Sequence, residues 1–160
     1  MVIGGFAIIH HGFPRLTYDI DLLIETTPEN EARVIEALLI LADKAARELK
    51  PGEVGEYGVV RVGDEVLVDL MKSGCGVTYG EAIKDAVVEP VDGVPIPFAS
   101  AATLWRMKQT VREKDAPDRV FLRELLTSQG IDVTPNRPSD DLVTRWLKRV
   151  QAWWQRRRSA

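Results

Sequence analysis

The run Tyr18-Asp19-Ile20-Asp21-Leu22-Leu23-Ile24 sets two acids two residues apart in an otherwise apolar segment. It lies between Pro14 and Pro28, is too short for a helix and reads as a buried strand. Side chains alternate along a strand, so Asp19 and Asp21 share one face, roughly 6.5 Å apart along the chain, while Ile20 and Leu22 face the core. Two ionised carboxylates so close repel each other and are costly to bury without a counter-charge. A divalent cation removes that cost, and an oxygen-only donor set suits magnesium or manganese. Taken alone, an Asp-x-Asp pair also fits a polar strand edge turned to water.

The surroundings narrow the choice. Gly4-Gly5 ends a short apolar start, and thirteen residues separate Gly5 from Asp19. At such a glycine turn, backbone N–H groups can approach a phosphate. A third carboxylate, Asp69, sits in a second apolar run, Val66-Leu67-Val68-Asp69-Leu70-Met71. Three carboxylates on neighbouring strands beside a glycine turn are the components of two-metal phosphoryl transfer.

This pattern resembles the polymerase-beta-like nucleotidyltransferase superfamily: a hydrophobic residue and Gly-Gly, a spacer, Asp-hydrophobic-Asp, then a later strand acid. Gly5-Phe6-Ala7, His11-Gly12, Pro14-Arg15, Thr17 and Asp19-Ile20-Asp21-Leu22 are most similar to small prokaryotic members of the abortive-infection toxin type. The resemblance covers residues 2–24, extends to Asp69 and to residues 100–118, and is absent after about residue 130.

The resemblance implies a nucleoside triphosphate as donor, two magnesium or manganese ions, and transfer of a nucleoside monophosphate to an acceptor hydroxyl. Asp19 and Asp21 would hold the two ions. Asp69 would ligate one of them and help deprotonate the acceptor. Gly4 and Gly5 would give the phosphates close backbone access, and Lys108, in the matching Leu-x-x-x-Lys segment, would meet the triphosphate. Arg15, Thr17 and Arg112 complete the implied nucleotide site, although Arg15 could equally pair with an aspartate. The acceptor stays open between an RNA such as the 3′ end of a transfer RNA, a protein side chain and a small molecule. A cognate antitoxin is an implied partner. A second reading keeps the fold without the chemistry, as a catalytically impaired, partner-binding or regulatory component.

Along the chain, Met1-Val2-Ile3 reads as the end of a strand, so an upstream helix and the rest of that strand are expected. Phe6–His11 reads as a short helix. Its two histidines are the only ones in the chain, which excludes an HExxH zinc site and a histidine–cysteine zinc cluster. Thr27-Pro28 opens a helix whose apolar spacing runs to Leu49 before Pro51-Gly52 stops it. Tyr57–Val62 and Glu65–Met71 form a hairpin about Gly63-Asp64, and Val87–Val91 with Val94–Phe98 a second about Asp92-Gly93. Thr78–Asp85 reads as a short helix between them. Ser100 caps a helix through Lys114, with Leu104, Met107 and Val111 inward and Lys108, Arg112 and Asp115 sharing one face. Asp118–Leu126 is helical up to Gly130.

The fold class expected is α/β (α+β), a small mixed sheet flanked by helices with a helical C-terminal part. Residues 1–98 form the core, 99–133 complete it, and 139–158 make a basic helix. That last helix carries Trp146 and Trp153 on one stripe and Arg145, Lys148 and Arg149 on another. It either packs through its tryptophans or faces RNA. Charge is segregated: residues 1–100 carry 8 basic and 17 acidic side chains, residues 101–160 carry 13 and 7. An acidic, metal-binding half joined to a basic one suits a polyanionic substrate. The single cysteine, Cys75, excludes an internal disulfide and fits a reducing cytoplasm. No apolar run approaches a membrane-spanning length, so no membrane partner is expected.

Overall fold

The computed structural model describes residues 1–133. The basic helix expected over 139–158, with Arg145, Trp146 and Trp153, lies outside the described residues. The class is mixed α+β. Its organising element is a three-stranded mixed sheet in the order β1-β3-β2. Strand β1 (Asp19–Leu23) runs parallel to β3 (Leu67–Met71), and β2 (Val59–Gly63) runs antiparallel to β3. A two-residue pair, β4 (Ser73–Gly74) and β5 (Val77–Thr78), follows β3. The hairpin β6 (Val87–Val91) and β7 (Val94–Phe98) turns at Asp92 and Gly93, both with positive φ, as an Asp-Gly turn requires.

Met1–Ile3 does lie as strand-like backbone. Leu23 N donates to Met1 O and Ile3 N to Asp21 O on one side; Val2 N donates to Pro97 O and Ala99 N to Val2 O on the other. The segment thereby joins the hairpin to the β1 edge of the main sheet.

Alternation on β1 and β3 sends their side chains to two cores. Ile24, Val68 and Leu70 bury against Ala46, Val54 and Val62, beneath α2 (Pro28–Leu38) and α3 (Glu53–Tyr57). On the other face, Leu23 joins Ile3, Ala7, Ile8, Phe98, Leu104 and Leu122, from α1 (Gly4–His10), α5 (Ala101–Met107) and α6 (Ala116–Ser128). Residues 99–126 therefore share one core with the start of the chain. Asp19, Asp21 and Asp69 occupy this second face at the end that the helices leave open.

Four expectations on element ends need correction. Helix α2 stops at Leu38 and does not reach Leu49. The backbone N–H groups of Asp43 and Ala45 instead donate to the Asp64 carboxylate, each at 2.9 Å, so this segment cannot stay in the helix. Pro51-Gly52 does not simply stop a helix but opens another, α3. Helix α5 is capped by Ser100 as expected, yet ends at Met107 rather than Lys114. Arg119 donates to the carbonyls of Lys108 and Thr110, holding them in a loop, and Val111 is fully exposed rather than inward. Finally, Thr78–Asp85 divides into a helical turn at Tyr79–Ala82 (α4) and a 3-10 turn at Ile83–Asp85.

Helix α3 owes its place to Glu31, a side chain of α2 that is 1% exposed. Its carboxylate accepts from Gly52 N at 2.7 Å, Val54 N at 3.2 Å and Gly55 N at 2.9 Å. Those are donors that the start of a helix leaves without partners. Glu31→Ala is expected to cost about 2–4 kcal/mol, since charge-assisted bonds are lost and buried donors are orphaned. Urea unfolding measures it; a loss below about 0.5 kcal/mol would show that water replaces the carboxylate.

Candidate functional site

The parallel register sets Asp21 opposite Asp69, and the antiparallel register sets Arg61 opposite Asp69. Residues paired across a ladder share a face, so three neighbouring strands bring Asp19, Asp21, Asp69 and Arg61 together. One oxygen from each of the three carboxylates lies within 4.8 Å of the others. Arg61 forks Asp69, with Nε 2.7 Å from Oδ1 and Nη2 2.7 Å from Oδ2, and Nη2 also lies 3.4 Å from Asp19 Oδ2. The bonds to Asp69, then its charge, hold the guanidinium still more firmly protonated than usual.

Asp21 sits differently. Burial first, then the charges of Asp19 and Asp69, push its carboxyl above the usual range; a bond from the Gly5 N–H and the charge of Lys108 offset this only in part. The glycine pair serves this approach. Gly4 has φ +61, and a Cβ there would collide with the Asp21 carboxylate. A Cβ on Gly5 would meet Thr17. Thr17 in turn donates from Oγ1 to Asp19 Oδ1 at 3.2 Å. Both glycines therefore allow α1 to lie against β1.

A cleft of about 280 Å³ opens before these carboxylates, and its far wall is the α5–α6 connection. Lys108 Nζ lies 2.8 Å from Asp115 Oδ1 and 2.9 Å from Asp118 Oδ2. Arg15 pairs with the same Asp118 oxygen. Burial works against ionisation of Asp115, but bonds from Lys108 and Thr110 outweigh it and hold that carboxyl below the usual range. Arg112 and Lys114 line the same wall and are exposed.

Every residue proposed from the sequence, Gly4, Gly5, Arg15, Thr17, Asp19, Asp21, Asp69, Lys108 and Arg112, thus borders one cleft. Lys108 reaches Asp115 because the loop folds back, not because the two share a helix face. His11 is a structural residue in this conformation, its Nε2 bonded to the Ala99 carbonyl at 2.9 Å. Sequence reasoning missed Arg61, Lys114 and the role of Asp118.

The donor set fits a hard divalent cation: oxygen ligands, three negative charges, and spacings that one ion or a pair can bridge. No protein-family model matches the sequence, and comparison with curated proteins finds no significant match. Among the described residues, no helix is long and apolar enough to cross a membrane.

Proposed function

We propose that the chain is a metal-dependent nucleotidyltransferase of the polymerase-beta-like superfamily, similar to the abortive-infection toxin type. One observation carries the reading: three carboxylates converge within 4.8 Å at the mouth of a cleft whose opposite wall is cationic. That division of charge matches a substrate that is itself a chain of phosphates carried with magnesium or manganese.

In the reaction, an acceptor hydroxyl attacks the α-phosphate of a nucleoside triphosphate, the new O–P bond forms, the α–β bond breaks, and pyrophosphate leaves. Two divalent ions at the trio would stabilise the entering and leaving oxygens. Asp19, oriented by Thr17, and Asp21 would hold them from β1. Asp69 supplies the third ligand and accepts the acceptor's proton. Arg112 and Lys114 face the phosphates directly. Lys108, committed to Asp115 and Asp118, fixes that wall and adds its charge. The acceptor is an RNA such as a transfer RNA 3′ end, a protein or a small molecule. The setting is a reducing cytoplasm, and a cognate antitoxin restrains the activity.

Incubation with each labelled nucleoside triphosphate, magnesium and either total RNA or total protein tests this. Magnesium-dependent label on an acceptor is expected; no transfer with any of the four triphosphates would sink the reading. The second reading, an inactive partner-binding component, gains weight from Arg61, which neutralises part of the trio without any ion. A small antitoxin gene beside this one would favour the active enzyme.

A further inference from the structure

We propose that Arg61 is a tethered cation that guards the carboxylate trio and must release Asp69 before a divalent ion can bind. The inference rests on the metal-site reading above. Both oxygens of Asp69 are engaged by the Arg61 fork, at 2.7 Å each. An ion that takes an Asp69 oxygen therefore competes with a guanidinium already in place.

Three features make this an exchange and not a permanent bond. The first is access. Arg61 comes from β2, an outer strand of the three-stranded sheet, and its side chain is 58% exposed, whereas that of Asp69 is 11% exposed. The guanidinium reaches in from water and can swing out by rotation about its own side-chain bonds, leaving the core closed. The second is charge. One arginine offsets only part of the charge of three carboxylates, so the guarded site still attracts a divalent cation. The third is incompleteness. Arg61 bonds both oxygens of Asp69 and reaches Asp19 only at 3.4 Å, and its hydrogen bonds do not extend to Asp21. The guarded trio is thus only partly satisfied and still attracts a cation.

A forked arginine–carboxylate pair is among the stronger charge-assisted contacts, but solvent exposure screens it. Arg61 is therefore expected to lower metal affinity by about tenfold. Manganese titration, following the free ion by electron paramagnetic resonance at low salt without nucleotide, compares the wild type with Arg61→Gln and Arg61→Lys. The Gln variant should bind manganese about tenfold more tightly than the wild type. The Lys variant keeps the charge but cannot fork both oxygens, so it should lie between them. If Arg61→Gln does not fold, a roughly threefold gain in Arg61→Lys carries the test alone. Equal or weaker binding in the variants, with manganese still bound by the wild type, overturns the guard and leaves the metal site standing. No binding by any of the three proteins overturns the metal site itself, and the guard with it.

Discussion

Replacing Lys108 with methionine is expected to destabilise the fold by about 3 kcal/mol, near the lower end of the range for breaking a buried ion pair. The ammonium lies between Asp115 and Asp118, whose side chains are 5% and 2% exposed. Without it, Asp115 keeps the Thr110 hydroxyl as its side-chain donor, while Asp118 keeps Arg15. That remaining arginine is the reason to expect the lower end. The loss depends on pH in a defined sense. The Asp115 carboxyl titrates below its unfolded value in the wild type, so it contributes stability above the unfolded pKa and loses it as pH falls through the folded one. In the variant, a carboxylate buried without its lysine is relieved by protonation. The gap between the two proteins should therefore narrow on acidification below about pH 4. Urea unfolding at pH 7 and pH 4 measures it, and Asp115→Asn added to Lys108→Met should recover part of the loss. A deficit under 1 kcal/mol at neutral pH would mean that the wall is screened by water.

What the sequence disclosed and what it hid follow from one distinction. Features with a period or a local signature were legible: the Asp19–Leu23 strand, the Asp92-Gly93 hairpin, the Ser100 cap and the three-acid cluster. Features set by distant partners were not. Helix α2 kept its apolar spacing to Leu49 on paper, but Asp64, far along the chain, takes the N–H groups of Asp43 and Ala45. Arg61 was hidden by a register error. A two-residue turn at Gly63-Asp64 pairs Asp69 with Gly58 and puts Arg61 on the core face. The actual pairing of Gly63 with Leu67 leaves a longer turn and places Arg61 opposite Asp69. Since strand faces alternate with period two, that shift of three residues moved the arginine from one side of the sheet to the other. The Lys108–Asp115 pair was noticed for the wrong reason, because both were assigned to one helix that ends at Met107.

The largest effect on chemistry is expected from Asp21→Asn, which should lower magnesium-dependent transfer by at least 100-fold, beyond the roughly 10–100-fold typical of outer partners of metal ligands. It should also do something that loss of a purely structural residue would not. The Asp21 carboxyl titrates above its unfolded value because burial, then Asp19 and Asp69, disfavour its charge. A group raised in this way lends its stability below the unfolded pKa, and that contribution is lost as pH rises through the folded pKa. At neutral pH without metal, asparagine removes a repelled charge while its side-chain carbonyl can still accept from the Gly5 N–H. The variant should therefore melt higher than the wild type when chelator is present, and the two should converge in acid. Manganese should reverse the order, because an ion bound only by the folded wild type stabilises it by mass action. Thermal melts at pH 7 and pH 4, each with chelator and with excess manganese, give the four comparisons. Unchanged manganese affinity in the variant would remove Asp21 from the ligand set. A variant that melts lower than the wild type under every condition would show that the contact between Gly5 and the carboxylate outweighs the repulsion, making Asp21 a structural acid.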